Sequence, residues 1–454
     1  MAKINSVNPY NNQVLDSYEK DDKKSIEKKL KNMQAIEEEW SLRDIKERTK
    51  LLSKVSKLLI DRSSQYAKLI TEEMGKPISQ SIAEIEKCAW ACDFYVKNAD
   101  DFLADEIIST DADESFISYD PLGCVLAIMP WNYPFWQVIR FAAPTLTAGN
   151  TAILKHAENV PGCAMALQQL FEDAGYPKGC FQTILAGHEE IEELIENSAI
   201  KAITLTGSEK AGRAVAKMGG ENLKKTVLEL GGNNSCIVLD DADLDAYLDT
   251  MVKARMQNTG QSCIAAKRFI VCPEIYEEFL EKFQDKVEAL TIGDPLDEET
   301  YIGVLARKDL AEMLNDQITA SIKKGAKVQM GNSSKNAYFA PTILVDVVPG
   351  MPAFDDETFG PVAAIIKAKN KKHALELAAS SNYGLGTMLF TEDTDWAKRR
   401  ISHIPDGAFF INEMVKSDPR LPFGGTKASG YGRELSREGI LEFVNKKTVY
   451  IKRK

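Results

Sequence analysis

Residues 200–239 read IKAITLTGSEKAGRAVAKMGGENLKKTVLELGGNNSCIVL. Three apolar runs stand in this stretch, IKAITLT (200–206), TVLEL (226–230) and SCIVL (235–239), and an amphipathic helical segment separates the first two. Near-continuous apolar strands alternating with helices belong to a parallel sheet covered on both faces. The pair Gly231–Gly232 permits a sharp change of chain direction, so it reads as the joint between two α/β units.

Toward the N-terminus the first series continues through FQTIL (181–185), TAILK (151–155) and CVLAIM (124–129). Toward the C-terminus a second series has a helix beginning near Asp243, the strand RFIVC (268–272) and a helix from Pro273. The first hundred residues read as helix, with amphipathic segments near 22–40, 42–62 and 78–104. In the second of these, Leu51, Leu52, Val55, Leu58 and Leu59 form one stripe at helical spacing. Segments 108–120 and 447–452 alternate like strands but belong to neither series, and are expected to form an arm that pairs with another subunit.

The chain has 454 residues, 44% hydrophobic and 27% charged, which excludes collagen-like and disordered classes and allows two or three domains. Lys plus Arg number 56 against 67 Asp plus Glu, a net charge of −11 that argues against nucleic acid as the main partner. No run approaches the ~20 apolar residues of a membrane span, and MAKINSVNPYNNQV lacks a signal-peptide core, so no membrane partner and a cytoplasmic location are expected. Eight scattered cysteines make no disulfide framework. Cys88 and Cys92 have no second pair at zinc spacing and read as small buried faces of a helix; the four histidines stand far apart, so no metal is expected.

Four segments have the composition of a chemical site. In NTGQSCIAAKR (258–268), small neighbours leave room for a ligand to approach the Cys263 sulfur, although a lone cysteine is more often a buried small hydrophobe. LELGG (228–232) puts Glu229 at the end of an apolar strand, where it either serves a site or reaches solvent. In PWNYPFWQ (130–137), Asn132 either caps the next helix or points its amide at an oxyanion. LTGSEKAG (205–212) is a strand, a glycine turn and a helix start suited to a phosphate, but neither a Walker loop nor a GxGxxG fingerprint.

With these four segments in this order, the chain resembles the aldehyde dehydrogenase superfamily. The likeness runs from ITEEMGKP (70–77) through PWNYPF, LKHAEN (154–159), TGS, LELGG and GQSC to ETFGPV (357–362) and PFGGTKASGYGRE (422–434), and is strongest toward the bacterial succinate-semialdehyde dehydrogenase branch. The resemblance implies two doubly wound α/β domains, an NAD(P)-binding one (1–108 and 123–230) and a catalytic one (231–430), with an oligomerisation β-arm (109–122 and 440–454) that builds a homodimer or homotetramer. It implies Cys263 as nucleophile, Asn132 as oxyanion donor and Glu229 as the base for thioester hydrolysis. Members that acylate coenzyme A lack this glutamate, so its presence implies a free acid as product.

The resemblance places Met129, Pro130, Trp131, Lys155, Glu158, Gly207, Ser208, Leu230, Glu357 and Phe359 at the cofactor. Glu158 favours NAD over NADP, since a carboxylate accepts from a free ribose hydroxyl and repels a 2′-phosphate. His156, where proline or serine is usual, departs toward members that use NADP. For the substrate it indicates Arg140, Gln257 and Arg420, with Lys416 and Ser417 on the same loop as Arg420. Gln257 stands where some members carry a second arginine, and Arg255 cannot replace it because a helix turns about 200° over two residues. Succinic semialdehyde is the first expectation, with other semialdehydes or uncharged aldehydes as a broad-specificity alternative. An inactive structural protein of this fold is disfavoured because Cys263, Glu229 and Asn132 are all present.

Overall fold

The computed structural model describes residues 3–454. The apolar run CVLAIM becomes the strand Cys124–Met129, the centre of a six-stranded sheet. It is flanked in parallel by Thr151–His156 and Ile200–Thr206, with Phe181–Ile184 beyond the first and Lys225–Glu229 beyond the second. One short antiparallel strand, Gly430–Tyr431, completes this sheet and sets Gly430 opposite Glu229. A second sheet of seven strands centres on Arg268–Val271 and Ser235–Val238 and is parallel except for its edge strand Lys327–Met330. The chain passes from the first sheet to the second across Gly231–Gly232, where a Cβ on Gly232 would fall 2.6 Å from the Cys263 carbonyl oxygen.

Four helices, Lys23–Leu42, Ile45–Asp61, Ser63–Met74 and Ile78–Leu103, precede the sheets. Asp22 and Asp44 cap the first two by accepting from backbone N–H groups of the first turn. Leu52, Val55 and Leu59 of the expected stripe are fully buried, with Leu51 and Leu58 at its margins. The very N-terminus differs from the helical expectation. Lys3–Val7 and Val14–Glu19 form an antiparallel hairpin whose Ser6 hydroxyl donates to buried Glu73 at 2.6 Å. Strand Val444–Ile451 pairs along its whole length with Glu114–Pro121, and Glu106–Ile107 adds a third strand to this separate arm.

Candidate active site

The helix Leu244–Met256 ends in a left-handed turn in which Asn258, Thr259 and Gly260 have φ of 56°, 52° and 72°. Two of these residues carry a Cβ and are strained there, so the surroundings must hold them. Asn258 N donates to Gln80 Oε1 at 2.6 Å, and Asn258 Nδ2 donates to the Asn132 carbonyl at 2.8 Å. Arg255, wholly buried, donates to the carbonyls of Gly260 and Thr358 at 3.2 and 3.1 Å. It is therefore a brace for the turn, consistent with its exclusion as a substitute at position 257. The turn delivers Cys263, the only cysteine of the eight that is not fully buried.

Burial pushes the Cys263 thiol up to about 11, with Lys267 and Arg140 acting in the opposite direction. Lys267 was not among the expected site residues. Its ammonium, out of contact with water, donates to the carbonyls of Ser262 and Cys263 at 2.7 and 2.6 Å and to Glu357 at 3.0 Å. Glu357 also accepts from Gly232 N at 3.1 Å, so it ties the cysteine loop to the inter-sheet joint.

Asn132 follows strand Cys124–Met129 and is 4% exposed. Its Oδ1 accepts from Gln137 Nε2 at 3.1 Å and its Nδ2 donates to the Gln261 carbonyl at 3.0 Å, leaving its second amide hydrogen free. The segment is supported from beneath by His156. That ring accepts at Nδ1 from Ala157 N (2.9 Å) and donates from Nε2 to the Pro134 carbonyl (2.9 Å). Glu229 is 2% exposed, and neither of its carboxylate oxygens has a hydrogen-bond partner among the described residues. The alternative of a strand-end glutamate reaching solvent is thus ruled out. Burial first, and the neighbouring Glu434 second, hold its carboxyl well above the ordinary carboxylate range.

A hollow of about 190 Å³ opens onto Cys263, and Gln257, Arg140, Tyr133, Trp136 and Phe423 line it. Arg140 comes to the hollow already engaged. Its Nε lies 2.5 Å from Glu434 Oε2, as a close ion pair without an aligned hydrogen bond, and its guanidinium stacks 4.7 Å from the Phe423 ring centre. Ser417 and Lys416 also reach the wall, whereas Arg420 does not. Arg420 projects to solvent and forks onto Asp418 at 2.8 and 2.6 Å, because the intervening turn points it outward. Lys87, absent from the sequence reading, lines the hollow from the helix Ile78–Leu103.

A larger cleft of about 850 Å³ gathers Met129, Pro130, Trp131, Lys155, Glu158, Gly207 and Ser208, as expected of a cofactor groove. Leu230, Glu357 and Phe359 are not on its wall. Leu230 packs against the helix Glu209–Glu221 at Gly212, and Phe359 meets Trp131 edge-on at 5.8 Å. The residues present fit a phosphate-bearing dinucleotide. Thr206 Oγ1 and Asn159 Nδ2 are buried on the cleft wall without partners among the described residues, and the N-terminus of the thirteen-residue helix Glu209–Glu221 opens there. Lys20, Arg307 and Lys308 add positive charge that the sequence did not reveal.

Trp131 lines the cleft and Tyr133 the hollow, so Asn132 sits where the two adjoin. A nucleotide-sized cleft beside a hollow that holds one accessible cysteine is the arrangement of a nucleotide-dependent oxidoreductase. The sequence profile of the aldehyde dehydrogenase family matches residues 1–449, and the chain belongs to that family. It is 47% identical over 451 residues to a probable succinate-semialdehyde dehydrogenase [NADP(+)] of Synechocystis, covering 99% of each chain. To the succinate semialdehyde dehydrogenase [NAD(P)+] Sad of Escherichia coli it is 43% identical, covering 98% of this chain and 97% of that one. The crystal structure of succinic semialdehyde dehydrogenase from Streptococcus pyogenes with NADP+ superposes with a TM-score of 0.97 at 34% identity, over 99% of this chain and all of that one.

Proposed function

We propose that this protein oxidises succinic semialdehyde to succinate, with NAD(P)+ as the acceptor, and that Cys263, Asn132 and Glu229 carry the chemistry. The observation that carries this reading is a single partly open cysteine on the wall of a hollow that also bears Lys87, Arg140 and Lys416, with the buried carboxyl of Glu229 near enough for its charge to act on the sulfur. The named relatives support the choice of substrate.

A thiol held near 11 keeps its proton at neutral pH, so the proton must leave as sulfur adds to the aldehyde carbon. That proton would pass to Glu229, a carboxylate whose charge reaches the sulfur. The oxyanion so formed would accept from the free amide hydrogen of Asn132 and from the Cys263 N–H, which has no partner among the described residues. Bound NAD(P)+ supplies a hydride acceptor. Glu229 then returns that first proton to solvent, water opening the thioester gives one proton to Glu229, and the acid so formed gives its other proton to the departing Cys263 thiolate, so that the carboxylate leaves and the thiol is restored.

Both cofactors fit this reading. Glu158 faces Lys20 at 3.7 Å, which offsets the charge that would repel a 2′-phosphate, and burial lowers the ammonium of Lys155 beside it. We further infer a cytoplasmic homodimer or homotetramer assembled through the arm, with the first sheet serving the cofactor and the second the cysteine. Turnover followed by reduced-nicotinamide absorbance, with succinic semialdehyde and butanal and with each cofactor, tests the assignment. Succinic semialdehyde should exceed butanal at least about tenfold in kcat/KM. Activity surviving in Cys263→Ala would overturn the mechanism, and equal rates on both aldehydes would favour a broad-specificity enzyme.

A further inference from the structure

The charges around the hollow do not balance evenly. Arg140 is matched by Glu434, and Lys416 pairs with Glu413 at 2.9 Å. Glu84 is saturated: it pairs with Lys76 and accepts from the backbone N–H groups of Phe135 and Trp136 at 2.9 Å each. Lys87 remains. Among the described residues no carboxylate stands within ion-pair distance of it. Among the described residues its ammonium makes one hydrogen bond, to Ser417 Oγ at 2.8 Å, and lies 4.3 Å from the Trp136 ring centre.

An ammonium has three hydrogens, and one bond to a hydroxyl leaves two of them to be satisfied. We propose that Lys87, with the Ser417 hydroxyl beside it, is a further specificity residue that receives the substrate's carboxylate alongside Arg140. This assignment rests on the semialdehyde reading above. Lys87 as a whole is half-buried because it faces the hollow, yet its ammonium is packed densely enough, and near enough to Arg140, to be pushed down to about 8. A group under that pressure gains from an arriving anion. The aliphatic part of the substrate would lie along Trp136 and Phe423, with its aldehyde toward Cys263.

The test compares wild type, Lys87→Met and Lys87→Arg on succinic semialdehyde and on butanal, with thermal melting as a control for folding. Lys87→Met should raise KM for succinic semialdehyde about 10- to 100-fold, the range for losing a charge-assisted hydrogen bond. It should leave kcat on that substrate and all constants for butanal within about twofold, and Lys87→Arg should restore much of the loss. If wild type prefers succinic semialdehyde and that preference survives in Lys87→Met, this assignment alone is overturned. So it is if both aldehydes suffer equally. A wild type without the preference overturns the functional reading and this assignment with it.

Discussion

Arg140 Nε stands 2.5 Å from a carboxylate oxygen of Glu434, and the two residues are 3% and 5% exposed. A pair so removed from water is held together chiefly by what each partner would suffer alone. Glu434→Gln should therefore destabilise the fold by about 3–5 kcal/mol in urea unfolding. The double variant Arg140→Met/Glu434→Gln should recover part of that loss. If the single and double variants are equally stable to within experimental error of wild type, the pair has no such role.

Glu434 also adds to the upward pressure on Glu229. As a base, Glu229 must be ionised, so the wild-type rate should fall as pH drops through its raised pKa, at a pH above the ordinary carboxylate range. Glu229→Gln should slow the release of the first equivalent of reduced cofactor per site in stopped flow, because the thiol loses its proton acceptor, and should then stall at the thioester. Full steady-state turnover by that variant would assign hydrolysis to another group.

His156 predicts a pH dependence of stability. Burial, with its ring wedged between Pro134 and Ala157, lowers its pKa from 6.5 to about 4. The unfolded chain then takes a proton first as the solution is acidified. The contribution is complete above about pH 6.5 and is lost progressively toward pH 4, amounting to about 2 kcal/mol by about pH 5. His156→Gln should be less stable near neutrality and show a flatter decline between about pH 7 and pH 5. An unchanged slope would refute the assignment.

Gly260 combines a φ of +72° with a site where a Cβ would fall 2.3 Å from the Gly360 carbonyl oxygen. Gly260→Ala should cost about 2–4 kcal/mol and, if folded protein is recovered, displace Cys263 enough to slow turnover by about a hundredfold or more. A variant with native melting temperature and rate would show that the turn relaxes without consequence.

The parallel strands were legible because burial on both faces leaves near-continuous apolar runs, as in CVLAIM and IKAITLT. Cys263, Asn132 and Glu229 stood out because small or polar residues interrupt such runs. The hairpin Lys3–Val7 with Val14–Glu19 has no signature in the sequence, since its second strand is nearly all exposed and carries no burial pattern. Helix Ser63–Met74 lies within the first hundred residues that read as helix, although no separate amphipathic segment marks it. Lys87 and Lys267 were invisible for a different reason: a lysine on a helix face or before a strand looks like a surface charge until distant residues cover it. The failure at Arg420 is similar, since its side chain is turned outward by a local pairing with Asp418.

The short strand Gly430–Tyr431 reaches back to pair with the strand that bears Glu229, and Gly424 nearby closes over that carboxylate. The first sheet is therefore finished only by chain that lies beyond the whole second sheet. During synthesis, the segment bearing Glu229 emerges early and waits, its edge unprotected, until residues near 430 leave the ribosome. A nascent or truncated chain lacking them would hold every residue of the proposed chemistry and still have its base open to water. Competence thus arrives late and all at once, when the end of the polypeptide is threaded against its middle.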